Sequence, residues 1–223
     1  MKLKLENIEQ EFDYDKNNVC QLVLEDPEMF FNLTNGLIKQ ANGDEQVCFL
    51  YDKDKDLDLS KYAEIVSDYY SFSCNSKKIN SLVQKKILQI CENLDFAEDL
   101  DKLNKILSKF INKISDNVDI PIETNKDIQF PEIVKFMDID VRESESLLDR
   151  LLDYINILGK LKNTKLLILF NPTLYLSEKK IKILFKQCVY NEIKVFLVCN
   201  LDNNLFADKK VVIDKELCEI WLF

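Results

Sequence analysis

The sequence predicts an α/β domain interrupted by an inserted helical lobe, with residues 1–60 and 163–223 forming the domain and residues 61–162 the lobe. Short apolar runs bounded by polar residues occupy both ends of the chain, whereas the middle shows long helical periods. The run from Leu166 to Phe170 is continuously apolar, as in a parallel strand covered on both faces. With 223 residues, 47% of them hydrophobic, the chain can bury one sizeable core and carry an appended lobe.

Taken in order, Leu3 and Leu5 alternate with polar neighbours, Val19 to Leu24 makes a second extended run, and Val47 to Tyr51 a third. Between the last two lies a helix. Asp26-Pro27 offers a cap and a first-turn proline, Phe30, Leu33, Leu37 and Ile38 recur at helical spacing, and Gly43 follows the end. In the lobe, Asn75-Ser76 opens a helix carrying Ile79, Leu82, Val83, Ile87, Leu88 and Ile90, and a second helix runs from Asp99 to Ser115. A loop with Pro121 and Pro131 follows. Ser144 opens an amphipathic helix whose leucines and isoleucines between 147 and 161 must bury against another helix. This stretch, 144–162, carries more apolar surface than a lone lobe can cover, which predicts oligomerisation. The α/β pattern then returns with a helix from Ser177 to Tyr190, a strand from Val195 to Cys199, and terminal strands at 211–213 and 220–223.

Composition removes much chemistry. The chain has no histidine, which excludes Ser-His-Asp and Cys-His catalysis and every histidine-containing zinc site. Its three glycines, Gly36, Gly43 and Gly159, cannot build a phosphate-cradling loop. Where a P-loop protein ends its core strand in a magnesium-holding acid, this chain has Asn171. Glu192-Ile193-Lys194 could hold a nuclease metal, but no upstream acid completes the set. The seven cysteines form no CxxC pair and read as reduced core residues of a cytoplasmic protein. No apolar run approaches the roughly 20 residues of a membrane span.

Thirty basic against 39 acidic residues give a net charge of −9, so any nucleic-acid site has to be a local basic patch. Lys102, Lys105, Lys109 and Lys113 recur at intervals of three, four and four, which places them on one helical stripe. Leu103, Ile106, Leu107, Phe110, Ile111 and Ile114 are expected on the buried side. Lys77, Lys78, Lys85 and Lys86 add charge on the preceding helix, and Lys179, Lys182 and Lys186 repeat the stripe on a later one. Each stripe is also what an ordinary solvated helix face looks like. Asp116, Asp119, Glu123, Asp127 and Glu132 cluster in and around the proline-containing loop, a set of hard oxygen donors suited to Ca²⁺.

Three segments resemble the Csn-two family, the CRISPR-associated adaptation proteins of type II-A systems. They are Asp68-Tyr-Tyr-Ser-Phe72-Ser-Cys-Asn75-Ser76, then Phe130-Pro-Glu132-Ile-Val-Lys-Phe136 with Asp138-Ile-Asp-Val141, and Lys165-Leu-Leu-Ile-Leu-Phe170-Asn171 with Leu176-Ser-Glu. The resemblance covers the middle and C-terminal two thirds of the chain. It implies a P-loop-ATPase-like α/β head without a phosphate loop and a helical leg. It also implies a homotetrameric ring that holds double-stranded DNA in its hole, prefers free ends, binds calcium, catalyses no reaction, and acts with the CRISPR integrase and RNA-guided nuclease in spacer acquisition. The family's calcium acids match Asp119 and Glu132, with Glu123 and Asp127 completing the set in a loop longer than the family pattern. A purely structural protein–protein adaptor is the rival reading.

Overall fold

Leu3 and Leu5 make the inward face of β1 (Lys2–Leu5), which pairs antiparallel with β2 (Glu11–Asp13), Leu3 opposite Phe12. The computed structural model describes residues 1–222 except 54, 94, 95, 119, 121, 123–125, 162, 163 and 204. β3 (Val19–Leu24) is buried at every residue and belongs to a second sheet. Asp26 caps α1 (Pro27–Ala41), accepting the Met29 amide at 2.7 Å, and Gly43 just past the helix takes the left-handed backbone, φ 93°, that a side chain disfavours. β4 (Cys48–Asp52) returns to β1, and β5 (Lys55–Leu57) pairs on its far edge, giving an antiparallel sheet in the order β2-β1-β4-β5. The short α2 (Leu59–Tyr62) then delivers β6 (Ala63–Val66) to the second sheet.

Three helices follow: α3 (Lys77–Asn93), α4 (Ala97–Val118) and α5 (Phe130–Phe136). The chain comes back through α6 (Leu147–Leu161), β7 (Leu166–Phe170), a 3₁₀ turn at Pro172–Leu174, α7 (Glu178–Tyr190), β8 (Lys194–Cys199), β9 (Lys209–Ile213) and β10 (Glu219–Leu222). The second sheet runs β10-β9-β3-β8-β7-β6. All its strands are parallel except β10, which closes one edge antiparallel to β9.

Alternation sorts the residues of this sheet to two faces. Cys20, Leu22, Leu24, Ile168, Phe196, Val198 and Val211 face a core shared with Leu3, Phe12, Leu50 and α1 residue Leu37. The opposite parity, with Leu167, Leu169, Val195 and Leu197, is equally buried. Leu151, Ile155 and Leu158 of α6 and Ile181, Leu184 and Cys188 of α7 are buried as well, and these two helices pack on each other.

The chain divides into two compact units, Met1–Ser73 with Glu143–Phe223, and Cys74–Arg142. Residues 61–73 and 143–162, assigned to the lobe from sequence, thus lie in the α/β unit. The reason is local: Ala63–Val66 is an edge strand in parallel register with β7, and the apolar face of α6 is buried within this unit, Leu151 and Ile155 at 0% exposure. Most of the apolar surface that predicts oligomerisation is therefore covered inside this unit, with Leu148 and Leu152 left half-buried.

Candidate nucleic-acid interface

In the helical unit, α3 buries Ile79 and leaves Lys77, Lys85 and Lys86 exposed; Lys78 is exposed as well. On α4, Lys102, Lys105, Lys109 and Lys113 form the expected stripe, and all four are exposed. The stripe is not electrostatically uniform. Lys102 pairs with Glu98 at 2.8 Å and Asp99 at 3.4 Å, and Lys105 with Asp101 at 2.5 Å, all within the helix. Those neighbours push the Lys102 ammonium above its ordinary pKa, Glu98 first. Lys109 and Lys113 have no acidic partner among the described residues.

The apolar side of α4 departs from expectation. No residue of α4 is buried; Leu103, Ile111 and Ile114 are half-covered, while Ile106 is 62% and Phe110 58% exposed and Leu107 also lies open. The described residues of the chain supply too little packing to cover these side chains. The open side chains are the feature that sequence reasoning missed, although their position next to the lysines is visible on a helical wheel.

The acidic loop returns to α4 through Asn104, whose side chain donates to Ile128 O at 3.2 Å and accepts from Ile128 N at 2.9 Å. At the loop's start, Ser115 Oγ donates to Ile120 O at 2.5 Å and accepts from Ile122 N at 3.1 Å. The result is a groove of about 430 Å³ whose lining brings Lys105 and Lys109 together with Asp101 and Asp127.

Of the calcium candidates, Asp119 and Glu123 lie outside the described residues, and Asp127 is exposed. Glu132 is engaged: it accepts the Gln129 amide at 2.8 Å, closing the first turn of α5, and pairs with Lys126. Lys126 first, then the Gln129 amide, hold its carboxyl below the usual range. No three acids converge among the described residues, so these by themselves do not complete a calcium site.

The α/β unit disposes of the remaining candidates. Asn171, in left-handed backbone at φ 46°, donates its amide to Val198 O and accepts the Asn200 amide on its side chain, both at 3.0 Å. It ties the ends of β7 and β8 together. Glu192 is exposed in the turn before β8 and Lys194 donates to Asn18 Oδ1 at 2.7 Å; both line one cleft, where no second acid among the described residues stands beside Glu192 to complete a metal site. The cysteines form no disulfides among the described residues, and burial pushes the thiols of Cys20, Cys48 and Cys188 up to about 12, which leaves those three unreactive. Lys179, Lys182 and Lys186 are exposed on α7. No described helix is long and apolar enough to cross a membrane.

No curated protein matches the sequence. Among solved structures, the crystal structure of Stu0660 of Streptococcus thermophilus shares the fold, with a TM-score of 0.62 over 100% of this chain and 76% of that one at 13% identity. The model of the family described as CRISPR-associated protein (Cas_Csn2) matches residues 40–217, spanning strand, lobe and returning α/β segment. The chain therefore belongs to the Csn2 family of CRISPR-associated proteins, a family with a role in CRISPR adaptation.

Proposed function

We propose that this protein is a non-catalytic, cytoplasmic binder of double-stranded DNA ends in spacer acquisition, assembled as a homotetrameric ring with a P-loop-ATPase-like head that lacks the phosphate loop. The observation that carries the DNA reading is the α4 stripe, above all Lys109 and Lys113, whose charges are not neutralised by acids of the described residues. Charge partition supports it. The helical unit Cys74–Arg142 holds 11 basic and 12 acidic residues, a net −1, which leaves −8 on the α/β unit. DNA is repelled by the second and far less by the first. In a tetramer, at a formal −36 or four times −9, that repulsion leaves the lysine-bearing surface as the one tolerant of phosphates.

The ring reading rests on the open Ile106, Leu107 and Phe110, apolar side chains that a second copy can cover. Calcium belongs to the same proposal: Asp119, Glu123, Asp127 and Glu132 offer oxygen ligands, and the exposed Lys126 ammonium on Glu132 is replaceable by the ion at little cost. Integrase and RNA-guided nuclease are the proposed partners in adaptation.

A closed ring has to be threaded. Linear duplex should bind with an affinity independent of sequence, and a covalently closed circle of the same length should not, in gel shifts at one stated salt concentration. Equal binding of both topologies would remove the ring from the proposal, and binding of neither would favour the protein–protein adaptor.

A further inference from the structure

The α/β unit carries a groove that DNA binding leaves unused. It holds about 520 Å³ between the end of β1, the first turns of α1 and the turn joining β9 to β10. Leu5, Ile8, Met29, Leu33, Val47 and Leu217 make its apolar lining, and the charged residues that line it among those described are Glu6, Asp26 and Glu28, all acids. Asp26 is occupied as the α1 cap, whereas Glu6 and Glu28 are exposed. Lys4 on β1 turns its ammonium to Ile8 O at 2.7 Å and Glu9 O at 2.5 Å. At the other wall, Asp214 accepts the Glu216 and Cys218 amides, both at 2.9 Å, and the turn so built presents Leu217 at 62% exposure in left-handed backbone, φ 63°. A large apolar side chain is costly there on both counts, conformation and exposure.

We propose that this groove docks a protein segment in which a few neighbouring large apolar side chains are flanked by lysine or arginine. Its volume lies within the range of about 300–1,000 Å³ typical of binding pockets. The apolar lining selects the centre of the segment, and Glu6 and Glu28, on a unit of net charge −8, select cationic flanks. An acidic segment or a nucleic acid is excluded by the same field.

The probe is a labelled amphipathic Leu/Lys peptide, compared by fluorescence anisotropy with a Leu/Glu peptide of the same apolar spacing at physiological salt. The full chain should bind the first and not the second. Leu217→Ser, and separately Glu6→Lys with Glu28→Lys, should each weaken binding about tenfold. Glu145→Lys with Glu178→Lys makes the same change in net charge at exposed sites away from the groove and should leave affinity unchanged. An equal loss in that control, or no loss with Leu217→Ser, overturns the proposal, because attraction to the overall negative charge then explains the binding. A change of sedimentation coefficient in Leu217→Ser would make a second copy the occupant and overturn it likewise.

Discussion

Reversing the two unpaired lysines of α4, with Lys109→Glu and Lys113→Glu, probes the DNA reading most directly. Both side chains are exposed and have no acidic partner among the described residues, so their charge is available to phosphates, unlike that of Lys105, which Asp101 holds at 2.5 Å. Each phosphate contact contributes about 0.9 to the slope of log affinity against log salt, so two lost contacts lower it by about 1.8. At 0.1 M salt that equals about 1.8 decades, a roughly 60-fold weaker association, and repulsion by the new carboxylates adds to it. If each duplex touches more than one copy of α4, the loss in slope multiplies accordingly. The assay is anisotropy of a labelled linear duplex across a salt series, with circular dichroism melting as the control for folding. No residue of α4 is buried, so the melting temperature should stay within a few degrees. The matching reversal of Lys182 and Lys186 on α7 should leave the slope unchanged. An unaltered affinity and slope in the α4 variant refutes the assignment, and a loss in the α7 variant moves the site to that helix.

Gly159 sits where α6 approaches α7, and a Cβ there would lie 2.1 Å from Asn191 Oδ1 and 2.8 Å from its Cβ. Gly159→Ala should lose about 1–2 kcal/mol, an overpacking cost partly offset by alanine's helix propensity, and adding Asn191→Gly, which removes the amide and the Cβ together, should recover part of the melting temperature. Lys165, then the N-terminal ammonium, hold the Asp52 carboxyl below its ordinary range. Asp52 therefore contributes stability above its unfolded pKa of about 4 that is lost as pH falls through the lower folded value; urea melts of Lys165→Met should show a shallower loss below pH 4 than the parent. If Asp119, Glu123, Asp127 and Glu132 hold Ca²⁺, adding calcium to chelator-treated protein should raise the melting temperature, and Glu132→Gln should abolish the rise; superimposable melts of the parent with and without calcium would exclude the site. ATP hydrolysis and DNA cleavage should stay at background with Mg²⁺, Mn²⁺ or Ca²⁺, and cleavage abolished by Glu192→Ala would restore the nuclease reading.

What the sequence determined by itself were the elements whose signal is local. The apolar run Leu166–Phe170 is a buried strand and Pro27–Ala41 a capped helix, as their residues demanded, since burial on both faces and an Asp-Pro start are written in consecutive positions. The lysine stripe of α4 was equally legible, because helical spacing decides which residues share a face. Whether a face meets a partner is not local. Ile106 and Phe110 read as core yet stand open, and α6 read as lobe yet packs inside the α/β unit, because pattern names a face and only the rest of the chain can cover it. β6 escaped notice since Ala63–Val66 is four residues long, and its pairing partner, β7, lies a hundred residues further along. Tertiary structure likewise chose among the uses that one side chain permits: Asn171 became a tie between strand ends, and Glu132 closed a helix turn beside Lys126. A carboxylate or amide serves as cap, ion-pair partner or ligand with the same atoms, so its role is decided by which donor the fold brings within hydrogen-bond reach.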